Sequence, residues 1–585
     1  MPLPLLQART LIATTKLNWE LLNSKKFWLI LSLAATVYFG LISLADSLSL
    51  PYLIQDDARL HVVWLERFSN PNLFPNDLIA NYLESIAPIG YKSFYWAMNQ
   101  LGVEPLVIAK FLPLFLGLIA SVYGFGTALQ LFPVPISAFL STLILNQSWW
   151  LNDDLISATS RAFLYPIFLA FLYYLLKRSL VPCLIAIALQ ALFYPQMALL
   201  QIAILTVRLW RWHKGQLRLV GDRQAWILGS LSLIIALFAL WPFAQQAAEF
   251  GPIVTAAQAK LMPEYGVDGR AQFFIPNLLA FWFVGDSGIR LPLHPPVIWA
   301  GAFLPFLLRY PSALVRQVSS QIKLLVQVLI ASVGLFGLAH VVFLKLHFPG
   351  RYMEYSLRIV MALAAGITLV LLAEIGLRWL VQMRRSRTAL NLWQRGCLGL
   401  VAILAIASLV VPAVPSIFLS THLQVKGRVP EVYEFLAQQP KDTLIASLAE
   451  EASNLPAFAK RSILVAREFA FPYHLGYYKQ IRQRAIDLMQ AHYSPELQDV
   501  QRFIAKYGVD FFLIEQDAFT PAYLTPGPRW QRWLHQYQPV ASEAIARLQQ
   551  GQTPALAQFM DQCSVLQTKQ FTVLTAACLM GVQPG

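Results

Sequence analysis

The run "FWLILSLAATVYFGLISLA", residues 27–45, is apolar over a full membrane-spanning length, and its reading as leader or anchor decides the fold of everything after it. No small-residue cleavage site separates it from "DSLSLPY" at residues 46–52, so it is expected to stay as the first transmembrane helix. The rest of the chain agrees: 57% of its 585 residues are hydrophobic and 13% charged, with a mean hydropathy of +0.52. Such a chain cannot cover itself with polar surface in water.

Further apolar runs at 106–131, 133–150, 162–176, 179–194, 196–210, 226–244, 295–308, 323–344, 358–381 and 397–418 predict a polytopic α-helical membrane protein. Its transmembrane helices should number about 11–13. The stretch "FFIPNLLAFWFVGDSGIRLP", residues 273–292, reads as re-entrant or interfacial. In a soluble domain the net charge of +14 would suggest nucleic acid. Here the basic residues cluster in short loops, at Lys177 and Arg178, Arg208 to Arg223, Arg309 to Lys323 and Arg378 to Arg395. They mark orientation, and no nucleic-acid partner is expected.

With Lys16, Lys25 and Lys26 before the first span, the N-terminus is predicted to be cytoplasmic and everything after Leu419 extracytoplasmic. A division into a transmembrane unit, 1–419, and a soluble extracytoplasmic α/β domain, 420–585, follows. In that tail "EVYEFLAQQ" has helical spacing, whereas "TLIASLA", "SILVA", "DFFLIEQ" and "FTVLTAACLM" are β-prone. Cys563 and Cys578 flank a possible hairpin there. They are disulfide candidates in an oxidising compartment, two buried thiols being the alternative. Cys183 and Cys397 fall within spans and read as packing residues.

The same outer side receives several charged groups. "DDARLHVVWLERF", residues 56–68, carries Leu60, Val63, Trp64 and Phe68 at helical spacing and reads as an amphipathic helix along the membrane interface, opened by Asp56 and Asp57. A second acidic pair, Asp153 and Asp154, lies in the next outer loop, just before Arg161. Helix capping is the plain alternative for each pair. Together at the mouth of a bundle they suit general-base work or a divalent cation. Between two later spans, "LKLHFPGRYMEYSLR" (344–358) offers Lys345, His347, Arg351, Tyr352 and Arg358. Lys345 and Arg358 are explained by snorkelling from helix ends. Arg351, after Pro-Gly in mid-loop, suits a phosphate. In the tail, Arg461, Arg467, His474, Tyr477 and Tyr478 read first as ordinary surface and core, and second as a sugar or anion surface.

The acidic pair in "DDARLHVVWLERF" and the later "FPGRY" resemble motifs of the GT-C superfamily of integral membrane glycosyltransferases, nearest in layout to aminoarabinose transferases and protein O-mannosyltransferases. The resemblance covers roughly residues 20–420. It implies inverting transfer of a sugar from a polyprenyl-phosphate-linked donor to a lipid, glycan or protein acceptor at the outer face, with membrane lipids around a groove for the prenyl chain. The catalytic acid would be Asp56 with Asp57 beside it, the second-loop acid Asp153 or Asp154, and the donor phosphate would meet Arg351 with Lys345, His347 and Tyr352. Some members use a divalent cation, Mg or Mn, for which Asp56, Asp153 and Asp154 are the candidates here. The chain departs from the commonest pattern in having Asp at 57 where many relatives have Glu, and Asp77 and Glu84 compete as second acids.

The sequence has no Walker loop, no GxGxxG and no HExxH, so a nucleotide-driven pump is not expected. A transporter or flippase remains the alternative class, although such proteins place ionisable groups at mid-membrane and carry internal repeats that this chain lacks. A non-catalytic cell-envelope assembly protein is the other. With no terminal KDEL, a bacterial inner membrane is the expected setting.

Overall fold

The computed structural model describes residues 23–213, 215–292, 294–385, 406–407, 409–411 and 423–581. Each apolar run up to residue 381 falls on helical segments. Cys397, and most of the span expected at 397–418, lie outside the described residues. Among the described residues, four helical stretches are long and apolar enough to cross a membrane: Lys25–Ser47, Pro105–Leu131, Ser320–Leu346 and Gly350–Met383.

The helices start where local chemistry lets them. Ser24 caps Lys25–Ser47 by accepting from the Phe27 amide at 3.3 Å. Proline occupies the first turn of Pro105–Leu131, Pro135–Trp150 and Pro195–Arg208, where its missing N–H costs nothing. Polar side chains inside the bundle are satisfied locally. Thr36 returns a bond to the Ser32 carbonyl at 3.0 Å and meets the Ser121 hydroxyl at 2.6 Å. Asn146 joins Ser121 at 3.0 Å and accepts from the Trp150 indole at 3.1 Å. These bonds tie three helices together where lipid offers no partner. Gly366 permits the close crossing of Pro135–Trp150 and Gly350–Arg385, since a Cβ there would strike the backbone of Ser137 and Ser141.

Three expectations are corrected. The segment 295–308 is a 3-10 helix Pro296–Phe303 followed by the four-residue helix Leu304–Leu307, because prolines at its start and at position 305 interrupt a continuous α-helix. The helix expected at 358–381 begins at Gly350, so Arg351 stands in its first turn instead of in mid-loop. The segment 56–68 is not a surface helix on the membrane. It is the short helix Asp56–His61 followed by the 3-10 helix Val63–Phe68, and both faces are buried. Leu60, Val63 and Trp64 pack into the core of the C-terminal domain, while Val62 and Leu65 join the bundle core.

That burial locks the first loop between bundle and domain. The strand Leu53–Gln55 pairs antiparallel with Gln424–Lys426, at the entrance to the tail. Trp64 meets Phe469 edge to face at 5.4 Å, and Lys460 reaches Glu66 at 2.7 Å. The tail is an α/β domain with a five-stranded sheet in the order Ser462–Ile463, Leu444–Ala446, Phe511–Glu515, Phe571–Thr575, Ser564–Gln567. The first three strands run parallel and the last two antiparallel. Each β-prone run of the sequence supplies one strand, and the fifth, Ser564–Gln567, comes from a stretch not marked as β-prone. It forms a hairpin with Phe571–Thr575 beside the Cys563–Cys578 disulfide, whose Cα atoms are 5.5 Å apart.

Candidate active site

Where the first loop, the bundle and the C-terminal domain meet, a cavity of about 1210 Å3 opens. Asp56, Asp57, Asp153, Lys345, His347, Arg351 and Tyr352 all line it, together with His61, Arg161, Arg270, Asp286, Arg290, Glu354, Arg467, Glu468 and His474. Residues from opposite ends of the chain meet here because the strand Leu53–Gln55 ends at the acidic pair and the Gly350–Arg385 helix begins at Arg351.

Neither acidic pair is spent on capping. Gln55 caps Asp56–His61, accepting from the Ala58 amide at 2.9 Å, so neither aspartate of the first turn is the cap. The helix Leu164–Leu176 has Phe163 at its cap position and takes nothing from Asp153 or Asp154. Asp56 is about half exposed and pairs with Arg59 at 2.5 Å, which in turn holds Asn454 at 2.6 Å. Burial pushes the Asp57 carboxyl up to about 6; Asp153 and Asp56 add to the rise, while Arg161 and Arg351 oppose it.

Asp154 behaves differently. It is outside the cavity, 1% exposed, and bonded by Arg358 and by the Tyr165 hydroxyl, the latter at 2.9 Å. Burial would raise its carboxyl, but Arg358 and Arg161 outweigh that and hold it down at about 2. Arg358 therefore does not snorkel as expected: it is buried in an ion pair inside the protein. Asp77 and Glu84 are absent from the cavity lining. Asp77 caps Leu78–Ile86 through the Ala80 amide at 2.8 Å, and Glu84 pairs with Arg67 at 3.3 Å.

Also in the lining, Arg351 donates to the Tyr355 hydroxyl at 2.6 Å and lies 3.6 Å from Glu354. Lys345 is exposed to the cavity. His347 accepts from the Phe348 amide on Nδ1 at 2.7 Å, leaving its hydrogen on Nε2. Burial, with Arg351 and Arg290 nearby, lowers its pKa to about 3, so the ring is a neutral donor. Tyr352 is buried, its hydroxyl bonded to the Leu346 carbonyl at 2.6 Å. His61 is likewise held neutral, down at about 3, by burial and by Arg161, Arg270 and Arg351.

Of the tail residues, Arg467 and His474 line the cavity, while Arg461 bonds backbone carbonyls of Ala437 and Gln439 and Tyr477 stacks on Tyr82 at 3.7 Å. Tyr478 binds Glu264 at 3.0 Å. Sequence reasoning missed Arg270, Arg290 and Glu354 and gave Arg161 no role. Arg290 binds Asp286 at 2.6 Å and Glu354 at 3.1 Å, and Arg270 binds Glu468 at 3.2 Å. Their signal was there: positive charge is scarce in the loops expected on the outer side, and each of these arginines lies in one of them.

The residues present do not fit a divalent cation. Among the described residues, no three acidic, His or Cys groups converge as ligands. Asp57, Asp153 and Asp154 converge instead on the Arg161 guanidinium, the latter two at 3.1 and 3.5 Å. The carboxylate oxygens that would have to ligate an ion are already turned onto that guanidinium.

No family model matches this sequence, and no curated protein matches it. Among solved structures, the chain is similar to ArnT from Cupriavidus metallidurans bound to undecaprenyl phosphate, at 15% identity and a TM-score of 0.47, over 96% of this chain and 100% of that one. It is also similar to the archaeal oligosaccharyltransferase AglB from Archaeoglobus fulgidus in complex with an inhibitory peptide and a dolichol-phosphate, at 11% identity and a TM-score of 0.49, over 89% of this chain and 72% of that one.

Proposed function

We propose that the protein is a membrane glycosyltransferase of the GT-C type, moving a sugar from a polyprenyl-phosphate-linked donor to a lipid, glycan or protein acceptor. The observation that carries the reading is one cavity lined both by Asp57, whose carboxyl is pushed up to about 6, and by Arg351 and Lys345. Asp57 takes the proton of an acceptor hydroxyl as that oxygen bonds to the anomeric carbon. The bond from this carbon to the phosphate oxygen breaks in the same displacement, which inverts the centre. Charge growing on the departing phosphate is met by the Arg351 fork, by Lys345 and by the Nε2–H of His347. The neighbouring Asp56 helps keep the Asp57 carboxyl high, where a base is useful.

In this reading residues 1–419 form the transmembrane unit, 420–585 the extracytoplasmic domain that closes the cavity, and the setting is a bacterial inner membrane with the N-terminus cytoplasmic. The test is transfer by the purified protein from a panel of polyprenyl-phosphate sugars into membrane extracts. Asp57→Asn and Arg351→Ala should each abolish the labelled product. Full transfer by both variants would reject the assignment.

A further inference from the structure

Asp57 and Asp153 come from different loops, yet one side chain holds both. Arg161 Nη2 bonds Asp57 Oδ2 and lies 3.1 Å from Asp153 Oδ2, while its Nε is 3.5 Å from Asp154 Oδ1. The guanidinium is 12% exposed, so this is a built centre and not a surface pair. Its place is set by the second loop folding back on itself. Ser157 bonds the Asp154 carbonyl at 2.9 Å and the Thr159 hydroxyl at 2.9 Å, Ala158 turns at a φ of 53°, and Tyr95 pins the Ala158 carbonyl at 2.8 Å. That turn returns Arg161 over the two acids preceding it.

We propose that Arg161 is a resident cation in the position between the first-loop and second-loop acids that a divalent ion would otherwise take, so that the protein needs no metal there. The guanidinium does what a bridging ion would do for geometry: it fixes the Asp57 carboxylate, through Oδ2, beside Asp153 in the cavity lining. Being covalently held, it cannot be stripped by a chelator. It is a positioning residue for the transfer proposed above, and only the activity arm of its test rests on that reading.

The first arm needs no substrate. Mn2+ titrated into the intact wild-type protein in lipid nanodiscs, followed by electron paramagnetic resonance, should show no ion bound at the acids. Arg161→Ala should gain one bound Mn2+, and Asp153→Asn in that background should remove it. One equivalent on the wild type that Asp57→Asn and Asp153→Asn both abolish would overturn the proposal, whatever the activity. In the second arm, wild-type transfer should survive EDTA unchanged. Arg161→Ala should lose about 100-fold, a loss of the size expected for a misplaced proton acceptor, and millimolar guanidinium or Mn2+ should restore at least part of it. Wild-type transfer that stops with EDTA and returns with Mn2+ would equally overturn it.

Discussion

Arg358 of the helix Gly350–Arg385 and Asp154 of the second loop form an ion pair with both side chains almost completely buried, 5% and 1% exposed, and Tyr165 donates to the same carboxylate at 2.9 Å. Removing one partner leaves an uncompensated charge. Arg358→Ala should therefore cost about 3–5 kcal/mol, read as a fall in the melting temperature of the purified protein. Asp154→Asn combined with Arg358→Met should lose less than Arg358→Ala alone, and equal losses would show that the pair is not coupled.

The same pair sets an acid limit. The folded Asp154 carboxyl, at about 2, lies below its unfolded value of about 3.9. Its contribution is complete above that unfolded value and disappears as pH falls through the folded one. The melting temperature should drop between about pH 4 and 2, and the drop should be smaller in Asp154→Asn.

Asp57 should govern the rate near neutrality. Its carboxyl is pushed up to about 6 by burial, with Asp153 and Asp56 adding and Arg161 and Arg351 opposing. A base must be unprotonated, so transfer should rise with pH through about 6 and level off above. Asp56→Asn removes a repelling carboxylate, and the rising limb should then move to lower pH. A limb that stays in place would mean that another group carries the proton.

Arg351 and Lys345 should separate by magnitude. Arg351 is oriented by the Tyr355 hydroxyl and presents a fixed fork, whereas Lys345 is an exposed point charge. Arg351→Ala and Arg351→Lys should each lower kcat by about 100- to 1000-fold, while Lys345→Ala should mainly raise the donor KM. An Arg351→Lys variant with unchanged kcat would remove the fork from the mechanism.

In the C-terminal domain, the disulfide closes a loop with a sequence separation of 15. Cys563→Ser with Cys578→Ser should cost about 3 kcal/mol in that domain's unfolding, measured in denaturant, and leave the cavity and its transfer intact.

Periodicity and composition alone determined the apolar helices, the β-prone runs of the tail and the loops where the acidic pairs had to lie, because lipid and pleat each demand a pattern legible over a few residues. Short motifs were enough to bring Asp56, Asp57 and Arg351 forward together. Partnership was not legible. Only the folded chain decided that Asp153 faces the cavity while Asp154 turns to Arg358, that Arg161 gathers three carboxylates, and that Trp64 docks into a domain whose sequence begins hundreds of residues later. Such choices depend on which buried charge finds a counterion across the whole tertiary structure, and a charge without one is too costly to bury.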